Sequence, residues 1–310
     1  MSQFATGSRP VPPWLITHSY TDRDAGVLKS GKEAEVFLVE RSSAEGSCLL
    51  AHKRYRPRYP KQGELRELGF SKGTIYRADK VYRAGWNLKQ RERRAIDSGS
   101  RAGHEMSAQM WPNNEMAMLQ RAWKAGASVP YPVSRTDDGV LMEFIGGRGQ
   151  AAPRLVNAHL SAADMASARD QMAHTLRAMS SVGVVHGDLS TYNILWWRGR
   201  LVVIDFPQAV DATTNVHAPD LLQRDVNNVA DWFGRQRAPI DADELYGELL
   251  GLLFGGGLND GPWLGDGEEF GDADADGDGP ADADGLDDGV GETAGGVAVG
   301  AGRTHSPAIR

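Results

Sequence analysis

The sequence predicts an α+β fold with a strand-rich first part, a helical second part and a disordered acidic tail. Three observations carry that expectation. Strand-like apolar runs crowd the chain up to Gly147, whereas amphipathic helical periods dominate between Ser161 and Phe254. Two further apolar runs, VVHGDLSTYNIL from Val184 and LVVIDFPQAVD from Leu201, each lead into an acid, and buried strands rarely carry acids without a reason. From Gly255 to Arg310 the chain is mostly Gly, Asp and Ala and holds too little apolar surface to offset the entropy of ordering.

The elements follow in order. Residues 1–24 are rich in Pro and polar residues and read as an irregular arm that Trp14, Leu15 and Ile16 anchor. GVLKSGKEAEVFLVERS, from Gly26, gives two strands about a turn at Ser30-Gly31-Lys32, and CLLAHKRY, Cys48 to Tyr55, gives a third. Arg56 to Gly103 is basic, with scattered aromatics and weak periodicity, partly helical. MWPNNEMAMLQRAWKAG is a helix, with Met116, Leu119, Ala122 and Trp123 at helical spacing and Gly126 as its stop. GVLMEFIGG, Gly139 to Gly147, is a strand ending in glycines. Ser161 to Ser181 is a longer amphipathic helix with Met165, Ala168, Met172, Leu176 and Met179 on one face. HAPDLLQRDVNNVADWFGRQ and DADELYGELLGLLF complete the folded part as helices. No tandem repeat is present.

Bulk properties narrow the classes. The chain has 310 residues, 41% hydrophobic and 24% charged, as expected for one or two soluble domains. No apolar run reaches the roughly 18 residues of a membrane span, and the N-terminal residues lack the apolar stretch of a secretory signal. Cys48 is the only cysteine, which excludes an internal disulfide and a Cys-rich zinc site. Together these features predict a reducing cytoplasm. The net charge of −7 hides a segregation, because the chain from Phe254 onward holds 13 acids and two arginines while Ala51 to Arg94 holds 14 Lys or Arg against four acids.

The two acid-tipped runs suggest a divalent cation and the phosphates it holds. Phosphoryl transfer asks a protein mainly for positioning and charge neutralisation. Asp188 and Asn193 have the spacing of the catalytic-loop Asp and Asn of kinases, and Asp205 ends an apolar strand where kinases carry a metal-binding Asp. Lys53 lies in the third strand, where a kinase lysine meets the nucleotide phosphates, and Glu115 lies in the following helix to hold it. Ser30 and Gly31 follow a strand and suit a phosphate-covering turn. Met142-Glu143-Phe144-Ile145 ends a strand as a kinase hinge does, with Val36, Ala51, Leu195 and Ile204 as the apolar faces around an adenine ring.

In this order, GVLKSGKEAEVF, AHKRY, the WPNNE segment, LMEFIG, HGDLSTYNIL, IDFPQAVD and HAPDLLQRDVNNV resemble the RIO-type atypical protein kinases, most closely bacterial members of the first RIO subfamily. The resemblance runs from about Gly26 to Arg237. It implies a two-lobed protein-kinase-like fold: a β-rich N-lobe over 25–145 that includes the basic segment 51–94, a shortened helical C-lobe over 146–254, and the tail 255–310. It implies ATP with Mg²⁺ or Mn²⁺, and serine/threonine phosphorylation, autophosphorylation included, or ATP hydrolysis. Carried over, Asp188 is the catalytic aspartate and Asn193 with Asp205 ligates the metal. Lys53 contacts the phosphates and pairs with Glu115, Ser30 and the Gly31 turn touch the triphosphate, and Glu143 with Ile145 forms the hinge. The triplet Asp205-Phe206-Pro207 departs from the family, which usually has Ser at the position of Pro207. No APE motif follows, and only a few residues separate Asp211 from the helix beginning near His217, which argues against a conventional peptide groove. The family is tied to small-ribosomal-subunit maturation in eukaryotes and archaea.

Other readings stand beside this one. The HGDL…N pattern is shared with aminoglycoside-type small-molecule kinases, whose signatures do not include GKEAEV or QAVD. The basic segment 51–94, with Tyr55, Tyr59, Phe70, Tyr76, Tyr82 and Trp86 interleaved, is also the composition of an RNA or ribosomal-particle grip that nucleotide could switch. His186 and the pair Arg224-Asp225 read as structural. The tail segment from Asp272 matches the start of a calcium loop, but its twelfth position is Ala283, so an acidic solubilising tail is expected.

Overall fold

The computed structural model describes residues 9–31, 34–55, 81–84, 89–98 and 101–255. Most of the basic segment, Lys32, Glu33 and the acidic tail lie outside the described residues, and with them the expectations for RNA contact and for calcium.

Five antiparallel strands form one sheet in the order β1-β2-β3-β5-β4. They are β1 (Thr21–Ser30), β2 (Ala34–Ser43), β3 (Gly46–Tyr55), β4 (Pro132–Arg135) and β5 (Gly139–Glu143). Side chains alternate across a strand, so the register fixes two faces. Val36 and Lys53 pair directly, as do Leu38 and Ala51, and this set lines one face. Val39, Leu50 and Leu141 lie on the other face and form a small core with Leu15, Cys48 and Val133.

Leu15 reaches that face from the N-terminal arm. Trp14 meets Tyr131 edge-on at 6.3 Å, the Ile16 carbonyl accepts from Arg41, and Arg9 lies over the Trp123 ring at 4.7 Å. The three anchoring residues expected from the sequence are therefore all engaged. β1 starts at Thr21, inside the stretch read as arm. Thr21–Asp24 carries no apolar alternation to announce a strand; ion pairs Arg41–Asp22 at 2.8 Å and Arg23–Glu40 at 2.5 Å zip it to β2. Gly139 is required where β5 crosses β3, since a Cβ there would stand 1.8 Å from the Lys53 carbonyl oxygen.

The helix predicted from Met110 starts earlier. After a short helix α1 (Gln90–Asp97), α2 runs Arg101–Lys124 and carries Pro112 within it. Its second half supplies Met118, Leu119, Ala122 and Trp123 to the main core. β4 was not foreseen, because four residues beginning with Pro132 give no periodic signal.

Beyond the sheet, β6 (Gly146–Gly147) pairs with β7 (Gln150–Ala151), and α3 (Ala162–Ser181) follows. Ser161 caps α3, its hydroxyl accepting from the Asp164 N–H. β8 (Val184–Val185) pairs with β11 (Val210–Asp211), and β9 (Ile194–Trp197) pairs with β10 (Arg200–Val203). Helices α4 (Ala218–Arg235) and α5 (Ala242–Gly255) close the described chain. Met172, Leu176, Met179, Leu222, Val226, Phe233, Leu245 and Leu249 join one large core with the second half of α2. The helix expectations for Ser161–Ser181, His217–Gln236 and Asp241–Phe254 match α3, α4 and α5 to within two residues. No helix among the described residues is long and apolar enough to cross a membrane.

Candidate active site

Lys53, near the end of β3, is buried and lies between two carboxylates. Its Nζ donates to Glu115 Oε1 and to Asp205 Oδ1, each at 2.6 Å. Burial works against the ammonium, but Asp205 and then Glu115 outweigh it and hold the Lys53 pKa well above its ordinary value. Lys53 in turn holds the Asp205 carboxyl below the usual carboxylate range. Glu115, from α2, is 1% exposed and is shared three ways: Lys53 donates to it, the Phe206 N–H donates to Oε1 at 3.1 Å, and the Tyr55 hydroxyl donates to Oε2. Burial first, then the Glu115 charge, pushes the Tyr55 hydroxyl pKa well up, so it stays a donor.

Asp205 follows β10 with φ 76, the left-handed region that costs a non-glycine residue about 1–2 kcal/mol. The next residues hold that backbone in place. Phe206 is buried, its ring meets His186 at 4.9 Å, and its carbonyl accepts from the Ala209 N–H at 3.1 Å. This bond closes a turn with Pro207 at its second position, where a fixed φ is favoured and a missing N–H leaves no gap. The departure from the expected Ser is thereby accommodated.

Asp188 is exposed while the residues on either side of it are buried. Burial raises its carboxyl, with Arg224 opposing and Asp205 adding to the rise. The loop around it is fastened by α4. The buried Asp225 carboxylate accepts from the Gly187 N–H at 2.7 Å and the Leu189 N–H at 2.9 Å. Arg224 donates to the Gly187 carbonyl, and Asn228 Nδ2 donates to the Leu189 carbonyl at 3.0 Å. All four backbone groups flanking Asp188 thus end on one helix. Tyr82, buried in the main core, adds a hydroxyl bond to the Gly187 carbonyl at 3.3 Å. Gly187 has φ 77, and a Cβ there would stand 2.6 Å from the Gln208 carbonyl oxygen. Burial pushes Asp225 up to about 7 against its two N–H donors and Arg224.

His186 has the structural role expected of it. It is 1% exposed, burial lowers its pKa to about 4, its Nε2 donates to the Ile204 carbonyl at 3.1 Å, and its Nδ1 accepts from the Asp188 N–H at 3.3 Å.

Asn193 closes a short 3₁₀ turn (Thr191–Asn193) and faces Asp188, with Nδ2 donating to the Asp188 carbonyl at 2.8 Å and to Oδ2 at 3.2 Å. That leaves the Asn193 amide oxygen and the second Asp205 oxygen as hard donors. No group of three or more His, Cys, Asp or Glu able to hold a metal occurs among the described residues. Two protein oxygens beside a nucleotide's phosphates would suit a divalent ion that keeps several of its waters.

The expected adenine face is brought together in part. Ile145, Leu195 and Ile204 share one apolar cluster with Ala152, Val202 and Trp197. Val36 and Ala51 line the same sheet face as Lys53. Glu143 turns its side chain away to bracing, Oε1 accepting from Arg200 at 3.2 Å and Oε2 from the Tyr131 N–H at 3.0 Å. The Ile145 carbonyl accepts from the Ala152 N–H at 2.9 Å. The Gly31 N–H closes its turn on the Ala34 carbonyl at 2.9 Å, and Ser30 donates to Glu35 Oε1 at 2.9 Å. Sequence reasoning did not reach Tyr55, Asn228 or the loop role of Asp225, which depend on contacts 36 or more residues apart. Of the aromatics read as an RNA platform, Tyr55 and Tyr82 are the two described, and both serve interior hydrogen bonds.

A family profile for the RIO domain matches residues 70–245. The RIO-type serine/threonine-protein kinase Rio1 of Haloferax volcanii is 34% identical over 237 residues, 75% of this chain and 70% of that protein. The mouse serine/threonine-protein kinase RIO3 is 29% identical over 241 residues, 77% of this chain but 44% of that protein, and a probable serine/threonine-protein kinase RIO1 homolog of Encephalitozoon cuniculi is 28% identical over 231 residues, 73% and 58%. The chain therefore spans about half the length of the two eukaryotic relatives. With the buried Lys53–Glu115 pair, Asp205 after its strand and the Asp188 loop all inside one sheet-and-helix frame, the chain belongs to the RIO-domain family, whose kinase fold implies ATP and a divalent metal.

Proposed function

We propose that this chain is an ATP-dependent serine/threonine kinase or ATPase that moves the terminal phosphoryl group of ATP to a Ser/Thr hydroxyl, its own included, or to water. One observation carries the reading: Lys53 is fixed by two 2.6 Å bonds between Glu115 and Asp205, with Asp188 and Asn193 bonded to each other in the neighbouring loop. Lys53 meets the phosphates, Glu115 keeps its ammonium aimed, and Asp188 orients the attacking hydroxyl or water and receives its proton. Asn193 and Asp205 hold Mg²⁺ or Mn²⁺, which supplies charge neutralisation on the phosphates. Val36, Ala51, Leu195 and Ile204 enclose the base, the Glu143–Ile145 strand end lies along its edge, and the Ser30–Gly31 turn lies over the phosphates. The same reading divides the chain into an arm (1–24), an N-lobe (25–145), a C-lobe (146–254) and a tail (255–310), and it places the protein in the cytoplasm. A protein substrate, RNA or a ribosomal particle remains the proposed partner of the basic segment.

The test is phosphate release and autophosphorylation from radiolabelled ATP with Mg²⁺ or Mn²⁺, in wild type, Asp188→Ala and Asp205→Ala. The reading expects a wild-type signal that both substitutions reduce at least a hundredfold. ATP binding without turnover in the wild type would make the chain a nucleotide-gated binding module instead, and turnover that survives both substitutions would remove the assigned site.

A further inference from the structure

Lys29 stands in the same lateral row as Lys53. It pairs directly with Val36 across β1–β2, and Val36 pairs directly with Lys53 across β2–β3. Directly opposed residues of an antiparallel pair project from one face, so Lys29 shares the face that carries Lys53. Two strand spacings, roughly 10 Å, separate their backbones. The alternation of β1 does not predict this, because its pairing shifts between Val27 and Lys29. The same shift gives Ser30 to the row of Glu35 and Arg54, on the opposite face, where its hydroxyl donates to Glu35 at 2.9 Å.

Arg154 comes from another part of the chain, beyond the sheet. It bridges Leu195, the residue expected under the adenine ring, and precedes the 3₁₀ turn Leu155–Asn157. Partial burial lowers the Lys29 ammonium below its ordinary value, Arg154 lowers it further, and Asp205 raises it, so Lys29 lies within electrostatic reach of both Arg154 and Asp205. Among the described residues neither Lys29 nor Arg154 has a side-chain hydrogen bond or an ion pair. Lys53, by contrast, is already committed to two carboxylates, and that trio carries a net negative charge. A polyphosphate arriving beside that trio needs cations that are not yet spent.

We infer that Lys29 and Arg154 are polyphosphate-binding residues, two uncommitted cations, one on the Lys53 face of the sheet and one paired with Leu195, that meet the phosphate chain of the nucleotide. The assignment rests on the nucleotide reading above. It makes phosphate charge, rather than the base, the source of a large share of affinity, and it gives Lys29 the contact the sequence had suggested for the Ser30 hydroxyl.

The experiment is calorimetric titration of the full chain with ATP, ADP and adenosine in the presence of Mg²⁺, for wild type, Lys29→Ala, Lys29→Arg and Arg154→Ala. Lys29 is exposed, so its truncation leaves the fold intact. Lys29→Ala and Arg154→Ala are each expected to weaken ATP about tenfold, the lower end for a bond to a charged group after solvent screening. Adenosine stays within twofold of wild type, and Lys29→Arg restores most of the ATP affinity. ATP affinity unchanged in Lys29→Ala overturns the inference, as does an equal loss of ATP and adenosine, which would mark a structural role. A wild type that binds neither ATP nor adenosine would sink the nucleotide reading itself and take this one with it. That outcome is told apart from a failure at Lys29 alone, in which the wild type binds and the variant binds equally.

Discussion

Replacing Asp225 with Ala strips the loop around Asp188 of both its N–H acceptors. Asp225 is fully buried, and its two oxygens take the Gly187 and Leu189 N–H groups at 2.7 and 2.9 Å. Each N–H left unpaired in the interior costs about 1–3 kcal/mol. Removing a carboxylate that burial already disfavours offsets part of this, and the expected net loss is about 3 kcal/mol. A chain of this size then melts roughly 6–12 °C lower. Asp225→Asn keeps one acceptor and should cost about half as much. Turnover responds more steeply than stability, because Asp188 sits between the two released amides, and a misplacement of about 1 Å costs on the order of a hundredfold. ATP affinity, set by other elements, should hardly move. Urea unfolding gives the stability term and steady-state turnover the other, with exposed Asp231→Ala on the same helix as a control expected within about 0.5 kcal/mol of wild type. An Asp225→Ala protein that loses less than 1 kcal/mol and keeps wild-type turnover would refute the reasoning.

Two further outcomes follow from the same site. His186 is depressed from 6.5 to about 4 on folding, so between those values the unfolded chain holds the extra proton and stability falls as pH falls. Asp225 is raised from 3.8 to about 7, so across the same window the folded chain holds an extra proton and stability falls as pH rises. The two oppose each other in wild type; Asp225→Asn removes the Asp225 share, so between pH 6.5 and 4 urea unfolding should record a loss of about 3 kcal/mol relative to wild type's trend. Tyr55→Phe removes one of three donors to Glu115 and should cost about 1 kcal/mol of stability together with a several-fold fall in kcat/KM for ATP; unchanged kinetics would show that Lys53 and the Phe206 N–H hold Glu115 without help.

The residues proposed to carry the chemistry stand out in the sequence because their spacing is local. Asp188, Asn193 and Asp205 fall within one stretch of chain, and Lys53 lies in a strand with a clear apolar pattern. The helices α3, α4 and α5 were legible because their apolar faces repeat over many turns. What could not be read depends on pairing. The face that Lys29 and Ser30 present is set by irregular register between β1 and β2, which alternation along β1 alone cannot reveal. Thr21–Asp24 is a strand because of its charged partners on β2, and β4 is a strand because β5 lies beside it. Asp225 and Asn228 resemble any polar residues of an amphipathic helix until the loop they face is in place.

The fastening of that loop by α4 has a consequence for how the protein comes to life. The bonds that fasten Gly187 and Leu189 to α4 span 36 to 39 residues, so no local rule along Val184–Leu195 can form them early. During synthesis at 5–20 residues per second, the loop waits roughly 2 to 8 s for its anchors to be made. Until α4 docks, the chain carries Lys53, Asp188, Asn193 and Asp205 but lacks the anchors that hold the Asp188 loop. Catalytic competence is therefore a late event of folding, acquired with the C-terminal helices rather than with the nucleotide-facing strands.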